Sequence, residues 1–112
     1  MLRPKIVCLC GSTRFKKAFD IANYEETIKG NIVLSVGFYV HAKEGEHGEQ
    51  VGCSPELKIK LDELHKRKID LADEVFVLNV YGYIGDSTFS EIEYAKLHNK
   101  PVRYLEKISS GN

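Results

Sequence analysis

Ile6-Val7-Cys8-Leu9-Cys10-Gly11-Ser12-Thr13-Arg14 decides the fold. Five apolar residues run without a polar interruption and stop at a glycine. An unbroken apolar run of this length fits a strand buried on both faces, as in a parallel sheet, whereas a half-exposed strand alternates. Cys8 and Cys10, two apart, would then point to the same face. The glycine permits a tight turn, and a helical pattern follows, with Phe15, Ala18, Phe19, Ala22 and Ile28 along one side. Ser12 or Thr13 is placed to cap that helix and Gly30 to end it.

The alternation continues outward. Ile32-Val33-Leu34-Ser35-Val36 reads as a second buried strand. Residues 37–53 break the pattern with four glycines among His41, Glu44, Glu46, His47 and Glu49, and a loop of this length is usually functional. Ser54-Pro55-Glu56 is a helix start, with a capping hydroxyl, a proline in the first position and an acid in the first turn. Leu57, Leu61, Leu64 and Leu71 mark the apolar side of that helix. Glu74-Val75-Phe76-Val77-Leu78-Asn79-Val80 reads as a third strand. The spacing predicts a third helix over 88–98 with Ile92, Ala95 and Phe89 inward, Asn99 at its end, and Val102-Arg103-Tyr104-Leu105 as a last strand. Strands alternating with helices imply right-handed crossovers and a parallel α/β sheet. Its expected order is 2-1-3-4. Ligands in such sheets sit at the carboxyl ends of the strands, beside the switch point, where residues 11–14 and 81–87 would meet.

One domain accounts for all of 1–112, with residues 107–112 expected to fray. Sixteen basic and sixteen acidic residues cancel, which argues against a nucleic-acid polymer or an anionic membrane as partner. No apolar stretch is long enough to span a bilayer, and the cytoplasm is the expected compartment. The three cysteines have no zinc-type spacing and read as small buried hydrophobes in a reducing compartment. No metal and no cofactor is expected. His41 and His47, six apart, match no ligand pattern.

Three groups of residues carry chemistry. Gly11-Ser12-Thr13-Arg14 offers backbone N–H groups, two hydroxyls and a guanidinium to an anion, although the glycine spacing of a P-loop or dinucleotide fingerprint is absent. In Gly85-Asp86-Ser87-Thr88-Phe89-Ser90-Glu91, Asp86 or Ser87 would cap the third helix. Glu91 then falls near the positive end of the helix dipole, which favours its ionised form. A carboxylate beside a sugar can attack an anomeric carbon or stabilise an oxocarbenium-like transition state. Glu93 lies roughly 200° around the helix and cannot share that site. Asp62, His65, Lys66 and Asp70 read most simply as a solvated helix face; alternatively Asp62, one turn before His65, orients the imidazole. Tyr81 and Tyr83 either stack on a base or pack.

As a set, Cys10-Gly11-Ser12-Thr13-Arg14, Ala72-Asp73 before the third strand, and Asp86-Ser87 with Glu91-Ile92-Glu93-Tyr94-Ala95 resemble the nucleoside 2-deoxyribosyltransferase superfamily. The first motif is closest to the 2′-deoxynucleoside 5′-phosphate N-hydrolase branch. The resemblance implies a flavodoxin/Rossmann-like three-layer sandwich and a homodimer or larger assembly. It also implies hydrolysis or base exchange at an N-glycosidic bond of a nucleoside or nucleoside 5′-monophosphate. Glu91 maps to the nucleophile, Gly11, Ser12, Thr13 and Arg14 to the substrate loop, and Ser87 to a phosphate ligand, with Tyr83 and Asp86 beside them. Two positions depart: Cys8 stands where the family has a tyrosine, and His65 where it has a helix aspartate. His65 would then serve as acid toward the leaving base. A nucleotide-binding module without turnover is the alternative.

Overall fold

The computed structural model describes residues 3–37 and 54–108. Along the chain run β1 (Ile6–Cys10), α1 (Lys16–Ile28), β2 (Ile32–Leu34), α2 (Pro55–Leu71), β3 (Glu74–Val77), a 3₁₀ turn (Val80–Gly82), α3 (Asp86–Leu97) and β4 (Val102–Tyr104). Every strand pairing is parallel, and the order is β2-β1-β3-β4. This is the α/β sheet that the apolar runs and their spacing imply.

Strand alternation sorts the core into two halves. Val7, Leu9, Phe76 and Leu78 pack against Phe19 and Ala22 of α1. On the other face Cys8, Cys10, Val75 and Val77 pack with Ile69 of α2 and with Ile92 and Ala95 of α3. The result is a three-layer, Rossmann-like sandwich. Each large apolar side chain so buried contributes roughly 1.5–3 kcal/mol.

Element ends differ from the sequence reading in ways that bear on the site. α1 starts at Lys16 behind Phe15, and neither Ser12 nor Thr13 caps it. Ser12 closes a turn instead: its carbonyl accepts the Phe15 N–H at 3.0 Å and its Oγ the Arg14 N–H at 3.3 Å. Gly30 ends the helix with φ +92°, as expected. Ile28 is exposed, because the inward stripe is Ala18, Phe19, Ala22 and Glu26. β2 is three residues long where five were expected, and it lies at a sheet edge.

α2 opens as read, with Ser54 Oγ accepting the Leu57 N–H at 3.1 Å and Pro55 in the first position. Its inward face is not the leucine set. Leu57, Leu64 and Leu71 are exposed, and the stripe turned to the sheet is Leu61, His65 and Ile69, four apart. His65 is therefore not part of a solvated face. β3 stops at Val77, and Val80 enters the 3₁₀ turn, where Tyr81 takes φ 57°. Buried Asn79 fixes this exit by exchanging two hydrogen bonds with the backbone of Glu106, each 2.9 Å. α3 is capped by Gly85, with Asp86 and Ser87 inside its first turn and not capping it, and Phe89 faces solvent. Asn99, at φ 60°, follows its end.

The glycine-rich segment with His41 and His47, and the last four residues of the expected frayed tail, lie outside the described residues. Among the described residues no helix is long and apolar enough to cross a membrane.

Candidate functional site

The switch point brings the two distinctive loops into contact. β1 ends at Cys10, and a Cβ at Gly11 would sit 3.2 Å from the Leu78 carbonyl oxygen, so glycine lets the chain turn this close to the end of β3 without displacing it. Beyond it, the Arg14 guanidinium lies 4.8 Å from the centre of the Tyr83 ring. Phe15 meets the same ring edge-on at 6.0 Å. Gly85 lets the chain pass behind this ring, since a Cβ there would come within 3.0 Å of the Tyr83 hydroxyl. Tyr83 thus joins residues 11–15 to residues 81–87.

Under this junction lies a buried polar group formed by three elements. Cys8 and Cys10 project from β1, His65 from α2 and Glu91 from α3, and all four are buried. His65 Nε2 stands 3.0 Å from the Leu9 carbonyl oxygen and 3.6 Å from each sulfur. β2 stops opposite Cys8, so among the described residues no strand lies beside Leu9 on that side, and His65 meets its carbonyl instead. Glu91 lies near enough to Cys10 and His65 for both to act on its charge.

The charges in this group are interdependent. Burial pushes the Glu91 carboxyl up to about 7; attraction to His65 and the Cys10 hydrogen bond oppose this, while Cys8 and Asp62 add to it. The sequence-based expectation that the helix dipole keeps Glu91 ionised is therefore corrected. Glu91 sits beyond the first turn, where the dipole fades, and desolvation outweighs it. The Cys8 thiol is lowered, first by the hydrogen bond from Cys10 and then by His65. Cys10 is raised for the reciprocal reason, so one sulfur ionises and the other stays a donor. Burial disfavours charge on His65, but hydrogen bonding to Cys8 and the charge of Glu91 prevail and raise its pKa.

Ser87 belongs to a second, more exposed cluster. Lys58 Nζ donates to Ser87 Oγ at 2.6 Å and to Asp62 Oδ2 at 3.0 Å, and Ser87 Oγ donates to the same Asp62 oxygen at 3.3 Å. Asp62 is thus engaged with Ser87 and Lys58, while His65 Nε2 has the Leu9 carbonyl and the two sulfurs as its partners. The sequence reading passed over Lys58, although its spacing of four from Asp62 was visible.

The structure thus assembles Gly11, Arg14 and Tyr83 at the junction, His65 and Glu91 beneath it, and Ser87 beside Asp62. Ser12 spends its hydroxyl and carbonyl on the Arg14 and Phe15 amides, which leaves the loop fewer free N–H groups for an anion than expected. Asp86 is exposed in the first turn of α3. Asp73 lies at the opposite end of the sheet, where it accepts the Ile6 N–H at 2.8 Å and pairs with Arg3 at 2.6 Å. The Ala72-Asp73 motif is thus a fastening between the starts of β1 and β3. Cys8 and Cys10 carry more chemistry than their sequence reading allowed. Their ligand atoms and that of His65 all lie within 4.8 Å of one another. The visible signal was a pair of cysteines on one strand face opposite a histidine in register with Leu61 and Ile69. Compared with protein-family models, curated proteins and solved structures, the chain matches none.

Proposed function

We propose that the protein cleaves or exchanges the N-glycosidic bond of a nucleoside or nucleoside 5′-monophosphate, with Glu91 as nucleophile. The observation that carries this reading is the convergence of Glu91 with His65 beside Cys10 at the carboxyl end of β1, the strand end from which residues 11–15 lead to the contact with Tyr83. The Glu91 carboxylate attacks the anomeric carbon, the carbon–nitrogen bond breaks, and its electron pair leaves with the base, which takes up a proton. Water or a second base then displaces the carboxylate. His65 acts on Glu91 in this reading, holding negative charge near it; with Nε2 committed to Leu9, the imidazole is less suited to protonate the leaving base. Arg14 and Tyr83 meet the base or the phosphate, and Lys58 and Ser87 meet the sugar end. Two free buried thiols suit the reducing cytoplasm. Assembly as a homodimer or larger is implied by the family resemblance alone.

The test is release of free base from a panel of nucleosides and nucleotides, followed by chromatography. The rate is expected to rise with pH through about 7, because the ionised carboxylate is the attacking form. Glu91→Gln is expected to lose roughly a thousandfold or more. Equal activity in that variant removes the mechanism.

A specific observation favours a second reading. Glu91 is only 7% exposed, which suits a nucleotide-binding module that does not turn over. That reading predicts thermal stabilisation growing as RT ln(1 + [L]/Kd) with no free base at any pH.

A further inference from the structure

We infer that Cys8, Cys10 and His65 form a binding site for a thiophilic divalent ion, with zinc(II) as the natural occupant. The inference goes beyond the proposed glycosidic chemistry and does not depend on it. Two cysteines separated by one residue on a strand must share a face, and both sulfurs here stand 3.6 Å from His65 Nε2. A tetrahedral zinc with Zn–S near 2.3 Å and Zn–N near 2.0 Å has sulfur–nitrogen edges of about 3.5 Å. Both sulfur–nitrogen edges therefore match such a polyhedron, and the three donor atoms all lie within 4.8 Å of one another, so binding asks the two sulfurs only to settle at an edge of about 3.8 Å.

The donors suit the ion as well as the spacing does. Two thiolates and one imidazole select zinc over magnesium or calcium. Cys8, Cys10 and His65 supply three ligands, and the fourth position of a tetrahedral ion is left to water, so the Glu91 carboxylate is not drawn into the site. β1 and α2 fix the three first ligands, and buried Ile69 holds the helix against the strand one turn after His65. Binding has one local cost. His65 Nε2 must exchange its hydrogen bond to Leu9 for the metal, and one thiol proton at least must leave.

The experiment is a titration of chelator-stripped, reduced full-length protein with zinc(II) and, as a spectroscopic probe, cobalt(II). The expected result is one equivalent per chain. Cobalt should show thiolate-to-metal charge transfer in the near ultraviolet and the strong visible bands of a four-coordinate ion. Cys8→Ser and Cys10→Ser should each remove about half of the charge-transfer intensity. Each should also weaken zinc by at least the ~10–100-fold that loss of an outer-shell partner costs. X-ray absorption of the zinc-loaded wild type should count two sulfurs, which keeps the test independent of how the variants fold. Glu91→Gln should keep the charge-transfer bands whether or not the wild type releases base, so the two proposals fail separately. Absence of stoichiometric uptake, a cobalt spectrum without thiolate bands, or bands that survive Cys8→Ser/Cys10→Ser would each overturn the site.

Discussion

Two glutamates in this protein are almost equally hidden and behave in opposite ways. Glu26 of α1 is 2% exposed and Glu91 of α3 is 7% exposed. Burial works against the charge of both. Glu26 overcomes it, because Asn31 donates at 2.9 Å, Lys29 at 3.2 Å and Arg103 stands at 3.2 Å, and its pKa ends below the ordinary value. It is covered by its own partners at the rim of the domain, with Lys29 open to water, so its loss of hydration is partial. Glu91 has one cation and one thiol in its favour, and Cys8 and Asp62 against it. Hidden surface alone does not decide charge; the set of partners does. Glu26 is a fastening, and Glu91 is a group held ready to change its protonation.

The largest test of this contrast is the stability of Glu91→Gln, measured by urea unfolding of metal-stripped protein. The folded Glu91 titrates near 7 against 4.5 when free. Below pH 4.5 both states carry the proton and the residue costs nothing. As pH rises from 4.5 to about 7 the unfolded chain ionises while the folded one resists, so wild-type stability falls across that window. The gap is equivalent to about 3 kcal/mol. The glutamine variant is therefore expected to gain up to that amount over wild type at pH 8 and nothing at pH 4.5. A variant less stable than wild type at pH 8 would mean that Glu91 is a fastening too.

Glu26→Gln should move the other way and by less. A lowered pKa contributes stability that is fully present above 4.5 and fades as pH falls through the folded value. Because Lys29 is 59% exposed and Arg103 retains Glu74, the expected loss near neutral pH is roughly 1–2 kcal/mol, after allowance for solvent screening. The same urea series, carried down to pH 3, should show the difference between variant and wild type shrinking. No difference at pH 7 would reduce the network to decoration.

The sequence displays the sheet far better than it displays these two side chains. Apolar runs at Ile6–Cys10 and at 75–78, punctuated by Gly11 and Gly30, announce buried parallel strands and their crossovers because backbone and burial demand those residues locally. Glu91 was legible as a candidate from its place on α3, but its raised pKa was not. That depends on Cys10, His65 and Asp62, which come from distant parts of the chain. The inward turn of His65 was masked by the leucines on α2, which suggested a different helical face. Glu26 showed only half of its network: Lys29 and Asn31 lie close by in the chain, but Arg103 lies on β4, and only the sheet order brings that strand within reach. The caps were misread at α1 and α3 for a related reason. Ser12 closes its own turn and Ser87 is drawn to Lys58 and Asp62, and no local rule ranks those partners above a helix end.

The finest test replaces His65 by asparagine and follows the Glu91 carboxyl carbon by NMR across pH, in metal-stripped protein. His65 is the strongest influence holding the Glu91 midpoint down, so its removal should raise that midpoint above 7. A second consequence partly offsets the first. Without the imidazolium, Cys8 loses a main support for its thiolate and regains a proton, which removes a negative neighbour of Glu91. His65 acts on Glu91 more strongly than Cys8 does, so the net movement is upward but modest. The carboxyl signal of Glu26, packed on the α1 side of the sheet, should keep its midpoint and serves as the reference within the same sample. A falling Glu91 midpoint would show that the thiolate, and not the imidazole, governs the carboxylate; movement of both glutamates together would show only that the fold had loosened.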